Sequence, residues 1–179
     1  KEEWEQIWGE QRVVLNKYSD SRYVEDAYYI ISVAMFLKDD YLGSKSHLLT
    51  LIDKFPNGKY INEANLWLSL SELRVGNLEI SRELVYNITN QNKLSKYEKY
   101  LSNIIYAEIS FLENDLVSTY KYYRNAVKNS NTDAQKIKVY NELIKISEQN
   151  DDYEQLLIFL DEIYPLLLTN KEKKEIKML

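Results

Sequence analysis

The sequence predicts an all-α protein, a stack of helix–turn–helix units amounting to about nine to ten helices. Three observations predict it. A phrase at 15–27 returns 37 residues later at 52–64, with Lys17/Lys54, Tyr18/Phe55, Tyr23/Tyr60, Val24/Ile61 and Ala27/Ala64 identical or chemically alike. A fixed period of about 20–50 residues marks a stacked repeat. Four Gly and two Pro are few for 179 residues, which disfavours many-turned β architectures and favours long helices. Finally, an Asp or Asn recurs at Asp40, Asn77, Asp115 and Asp152, each placed to cap a helix that follows.

The opening segment carries Trp4, Ile7, Trp8, Gln11, Val14, Leu15 and Tyr18 at helical spacing. Its end matches 52–55, so 1–20 is expected to be the second helix of a partial repeat, and the chain to start mid-repeat. Trp4 and Trp8 would then either cover an end of the stack or present a face to a partner. Repeat one, 21–56, pairs a helix over 25–37 with a second that starts at Tyr41 and aligns Ser44, Leu48, Leu51, Ile52 and Phe55. Pro56 and Gly58 end that helix, because Pro cannot continue the ladder and Gly accepts left-handed angles. Repeat two, 57–92, has helices over 63–75 and 78–90 around Gly76-Asn77. Repeat three, 93–130, has helices over 101–113 and 116–129; repeat four, 131–166, has them over 138–149 and 153–164. Capping-box pairs stand at Ser95/Glu98, Thr132/Gln135 and Thr169/Glu172. The first two open the leading helices of repeats three and four, and the last implies a closing helix over 167–179.

Small residues mark where paired helices meet. Ser32 faces Ser44, Ser69 faces Ser81, and Ala107 faces Thr119, while Ile31, Leu48, Leu68 and Val85 fill the flanks. In repeat four the same slots hold Ile144 and Leu156, so that pair is expected to sit further apart.

Composition narrows the function classes. The chain is 45% hydrophobic and 28% charged, as a folded protein is, and no apolar run is long enough to span a bilayer. A net charge of -5 argues against nucleic acid as a partner, since phosphate binding needs a clustered basic face. Lys171, Lys173, Lys174 and Lys177 are interleaved with Glu172 and Glu175 and read as a solvated helix face. Zero Cys removes disulfides, thiol catalysis and most zinc sites, and leaves the redox compartment open.

The spacing of Tyr28, Ile31, Ser32, Met35, Ser44 and Leu48, closed by Pro56, resembles the tetratricopeptide repeat (TPR). Ser replaces the family's Gly and Met its aromatic, and repeats three and four lack the closing Pro. The resemblance covers nearly the whole chain and implies a right-handed α-α superhelix, a TPR-like solenoid. More narrowly, the turn Lys54-Phe55-Pro56-Asn57-Gly58-Lys59-Tyr60, resuming at Asn62-Glu63-Ala64, is similar to a bacterial envelope subgroup. That subgroup includes the lipoprotein BamD of the outer-membrane β-barrel assembly machinery and the periplasmic division coordinator CpoB. The resemblance implies an adaptor in the periplasm or at the outer membrane. Gly58 stands where that subgroup has Ser, and the lipidated N-terminal Cys of its lipoproteins is absent from these residues.

No constellation for catalysis, cofactor or metal binding can be assembled, so the expectation is a non-enzymatic protein-binding scaffold. His47 is the single His and reads as a surface or packing residue. Asp39-Asp40 and Asp151-Asp152 fall in capping turns, which explains them without a cation. Tyr28, Tyr29, Tyr106, Tyr120, Tyr122, Tyr123 and Tyr140, among 16 tyrosines, are packing residues or binding anchors. In a TPR superhelix the first helices line the concave face. The inner positions here are Tyr29, Val33, Phe36 and Leu37; Leu66, Leu70, Leu73 and Arg74; Ile104, Glu108, Phe111 and Leu112; then Lys138, Asn141, Lys145 and Gln149. Such a groove, apolar at one end and polar-basic at the other, would suit a peptide segment with an acidic end. The alternative is that a neighbouring repeat or flanking sequence covers several of these residues. The carboxylate clamp of chaperone-binding TPR proteins is not expected, because Tyr29, Val33 and Leu66 occupy its positions. The second function reading is a structural module whose apolar faces are buried by self-association.

Overall fold

Each intra-repeat turn is built by the same device. Asp39, Gly76, Asn114 and Asp151 have φ of 63°, 88°, 60° and 53°, the left-handed region, one position before the predicted cap. Around each, two backbone N–H groups fold back on the preceding helix: Asp40 to Met35 O and Asp39 to Phe36 O, then Asn77 to Glu72 O and Gly76 to Leu73 O. Asp115, Asn114, Asp152 and Asp151 repeat the pattern onto Ser110, Phe111, Ser147 and Glu148. These are Schellman motifs, which satisfy carbonyls the helix end would otherwise orphan.

A computed structural model describes residues 22–91 and 93–168, with Val13, Leu15 and Lys17. The readings of Trp4, Trp8 and the closing helix past Leu168 lie outside the described residues. Those residues contain eight helices and no strand, so the fold is all-α. The chain divides into two compact units, Lys1–Leu94 and Ser95–Leu179. The first holds α1 (Val24–Leu37), α2 (Tyr41–Lys54), α3 (Ile61–Arg74) and α4 (Leu78–Thr89). The second holds α5 (Lys96–Leu112), α6 (Leu116–Asn129), α7 (Asp133–Gln149) and α8 (Tyr153–Leu167). Within each unit every helix packs on the next in the chain. No helix among the described residues is long and apolar enough to cross a membrane.

The capping boxes at Ser95/Glu98 and Thr132/Gln135 both form. They start α5 and α7 five residues ahead of the helix starts predicted at 101 and 138. Asp40, Asp115 and Asp152 accept from the backbone N–H of Gly43, Ser118 and Gln155 at 2.9, 3.0 and 3.2 Å. Asn77 makes no such cap; its amide donates to the Glu72 carboxylate at 2.6 Å. At the other end of the chain α8 runs on to Leu167, past the predicted 164, with Pro165 inside its last turn.

The predicted small-residue pairs sit in the core. Ser32, Ser44, Ser69, Ser81, Ala107 and Thr119 have no solvent exposure. The Ser69 hydroxyl donates to Ser81 O at 2.8 Å and lies 2.9 Å from the Ser81 hydroxyl, tying α3 to α4. Their counterparts Ile144 and Leu156 are half-buried, and α7 with α8 share a less extensive contact than α5 with α6.

The repeated phrase proves to be the joint between repeats one and two. Tyr60 stacks flat on Tyr29, with centroids 4.1 Å apart, while its backbone N–H donates to Glu25 at 3.0 Å. Its hydroxyl donates to Asp26 at 2.7 Å, and Lys59 pairs with the same carboxylate at 2.6 Å. Gly58 keeps this joint close: a Cβ there would lie 2.4 Å from a Glu25 carboxylate oxygen and 2.9 Å from Phe55 Cβ, so one of them would have to shift. Within each unit a second link joins the first pair's second helix to the leading helix that follows it. Lys45 pairs with the buried Glu72 at 2.8 Å in the first unit, and Tyr120 meets Ser147 at 3.3 Å at the equivalent position in the second.

Candidate partner-binding surface

In the first unit the predicted inner face divides into core, joint and open surface. Leu66, Leu70 and Leu73 are 0%, 4% and 6% exposed, so they belong to the core and cannot meet a partner. α3 is buried continuously from Leu66 to Leu73, its polar residues Ser69, Ser71 and Glu72 included, so this stretch has no free face. Tyr29 is half-buried, its hydroxyl donating to the Glu63 carboxylate, and serves the joint described above. Val33 and Phe36 are half-buried, and Leu37 and Arg74 are exposed.

Phe36 is the centre of an aromatic cluster. It meets Trp67 and Tyr41 edge-on at centroid distances of 5.1 and 5.2 Å, with the Arg74 guanidinium 5.9 Å from its ring. The Tyr41 hydroxyl donates to Asp39 at 2.5 Å. That bond, with burial, holds the Tyr41 phenol above its usual range, while Arg74 acts in the opposite sense. Trp67 is buried and its indole N–H has no hydrogen-bond partner. The sequence carries no signal for that group, because only packing decides whether an indole N–H reaches an acceptor.

In the second unit Ile104, Glu108 and Phe111 are half-buried on α5, while Leu112 is 58% exposed. On α7, Lys138, Asn141, Lys145 and Gln149 are all exposed, and at spacings of three and four they form one polar stripe. No protein-family model matches the chain, and no curated protein matches it. The surface therefore has to be read from its own chemistry.

His47 Nδ1 lies 3.1 Å from Gly43 O in its own helix, and its ring lies against Tyr28. Among the described residues no cluster of His, Asp and Glu is placed to hold a metal ion. The tyrosines named from the sequence divide between core and half-buried packing. Tyr123 and Tyr140 are buried, Tyr106 stacks on Tyr122, and Tyr120 tilts against Phe159 with 5.6 Å between centroids. Burial pushes the phenol of Tyr140 up, with the Glu162 charge adding to it, and pushes the buried Tyr100 up to about 12.

Proposed function

We propose that the chain is a non-enzymatic scaffold that binds a polypeptide segment along the leading helices of a TPR-like solenoid, its concave face. The observation that carries this reading is the fourfold recurrence of one turn, a left-handed residue followed by a capping position. Each copy sets a leading helix against a second helix, which outside the buried stretch of α3 leaves leading-helix residues for binding. The residues open on that face are Leu37 and Arg74 in the first unit and Leu112, Lys138, Asn141, Lys145 and Gln149 in the second. An apolar side chain and a cation in the first unit, and a lysine-bearing stripe in the second, suit apolar and acidic residues of a bound segment. The likeness of the Phe55-Pro56 turn to the envelope TPR subgroup supports a place in the periplasm or at the outer membrane of a bacterium.

The test is photo-crosslinking from single positions. A crosslinker at Leu37 or Lys145 should trap one polypeptide from envelope extract, whereas one at Val117, 80% exposed on α6, should not. Leu37→Glu combined with Lys145→Glu should remove the adduct with helicity unchanged. Adducts only at Val117 would overturn the assignment. A second reading, self-association, is favoured by Leu42 and Val117, which are 69% and 80% exposed on second helices. Sedimentation at micromolar concentration separates the two, since a monomer removes the second.

A further inference from the structure

We infer that Asn57 is a self-modification site. Its side-chain amide is lost by attack of the Gly58 backbone nitrogen, at a rate set by how firmly the joint between repeats one and two is closed. This goes beyond the leading-helix reading and does not depend on what the chain binds. Asn57 is the one Asn in the chain that Gly follows. It stands exposed between α2 and α3, as does Pro56 before it. Glycine matters because, with no Cβ, it lets its nitrogen approach the Asn side chain unhindered and its backbone turn into the geometry of attack.

The chemistry needs no enzyme and no oxidant, only water as co-reactant. The Gly58 nitrogen forms a bond to Asn57 Cγ while the Cγ–Nδ2 bond breaks. The proton given up by the Gly58 N–H leaves with the side-chain nitrogen as ammonia, and a cyclic imide remains. Water then opens either carbonyl of that ring. Cleavage at Cγ gives aspartate at position 57. Cleavage at the original peptide carbonyl gives isoaspartate, whose main chain runs through Cβ and Cγ and is one carbon longer.

The fold restrains the first of these steps. The Gly58 N–H donates to Phe55 O at 2.9 Å, closing a turn with Pro56 and Asn57 at its centre. The nitrogen must give up that proton to attack, so the bond to Phe55 has to break first. Two residues on, the joint anchors the turn. Tyr60 donates its N–H to Glu25 at 3.0 Å and its hydroxyl to Asp26 at 2.7 Å, and its ring stacks on Tyr29 at 4.1 Å. Reaction therefore proceeds from the fraction of molecules in which this joint is locally open. Isoaspartate cannot close it again. An added C–C bond of about 1.5 Å ahead of Gly58 exceeds the latitude of the hydrogen bonds beyond it. A new carboxylate also enters the turn that lies against Glu25. Loss of the Asn57 amide is thus a one-way change from a closed joint to an open one.

The test follows the tryptic peptide 55–59 of the intact 179-residue chain by mass spectrometry during incubation in mildly alkaline buffer. In urea, wild type should convert Asn57 ahead of every other Asn. Folded wild type should convert it at least about tenfold more slowly, ~1.4 kcal/mol of protection by the closed joint. Asp26→Asn and Tyr29→Ala leave residues 55–60 unaltered. Each should remove most of that protection with helicity retained, and should change nothing in urea. The isoaspartate form should melt below the Asn57→Asp variant, which carries the same charge on a main chain of ordinary length. Equal rates in buffer and in urea, or protection untouched by both α1 variants, would overturn control by the joint. Conversion led by another Asn would overturn the site, and equal melts of the isoaspartate form and Asn57→Asp would overturn the one-way opening.

Discussion

Ser69 sets how closely α3 approaches α4, and it does so with a side chain that has no room to grow. Its hydroxyl meets Ser81 twice within 2.9 Å and neither residue has any exposure. Ser69→Leu should therefore cost about 1–3 kcal/mol through overpacking, read as a lowered urea midpoint. An unchanged midpoint would show the helices are not held at that distance. Asp26 gives a pH-dependent test. Burial alone would raise its carboxyl pKa, but hydrogen bonds from Lys59 and Tyr60 and the Lys59 charge outweigh this and hold it below the usual value. A depressed folded-state pKa means the stabilisation is present above the unfolded value, near 4, and is lost as pH falls through the folded value. Wild type should thus exceed Asp26→Asn in stability at neutral pH, and the gap should close as pH falls below the unfolded value and through the folded one. A gap that is constant with pH would remove the ion pair from the joint. Residue scale is also where sequence reading fell short: Leu66, Leu70 and Leu73 looked like a lining face. They are buried because α3 is enclosed on every side from Leu66 to Leu73, with Ser69, Ser71 and Glu72 satisfied by partners inside. Periodicity cannot choose a face when polar residues are buried too. Leu70→Glu is for that reason a folding defect, and no use as a probe of partner binding.

At the scale of the element, most boundaries were legible because each was specified by chemistry with a short reach. The left-handed position is the sharpest case. Gly76 has φ of +88° and a Cβ built there would meet nothing within 4 Å. Gly76→Ala should still cost about 1–2 kcal/mol, since the penalty comes from the residue's own backbone and no neighbour contributes. Asn114→Gly at the equivalent turn should be neutral or slightly stabilising, and opposite signs in thermal melts would separate this cause from packing. The caps give a matched comparison. Asp152→Ala should lose about 1 kcal/mol, because its carboxylate satisfies the Gln155 N–H. Asn77→Ala should leave the start of α4 unaffected and act through Glu72 instead. The early starts of α5 and α7 follow from the same logic. Their boxes at Ser95 and Thr132 lie ahead of the repeat-equivalent positions, so the local cap overrode the repeat register.

For the whole molecule, the sequence carried the period but not the grouping. Two helix pairs fall in each compact unit, and each unit has fully buried side chains of its own: Ile31, Leu48, Leu51 and Leu66 in the first, Ile105, Ile109, Leu143 and Phe159 in the second. A period of 37 or 38 recurs across all four repeats, so nothing in the pattern marks Leu94–Ser95 as a division. Grouping depends on how many contacts side chains make within a pair of repeats, which spacing alone does not encode. The division makes a prediction about autonomy. Residues 95–179 expressed alone should be helical and melt cooperatively, because the unit contains both ends of its α5–α6, α6–α7 and α7–α8 contacts. Leu143→Ala should lower the stability of that fragment by about 2–5 kcal/mol, the cost of emptying a fully buried leucine site. In a unit of this size, whose total stability is on the order of 5–15 kcal/mol or less, that loss is large enough to read from one denaturant titration. A fragment that is unfolded without the substitution would mean that the second unit draws its stability from the rest of the chain.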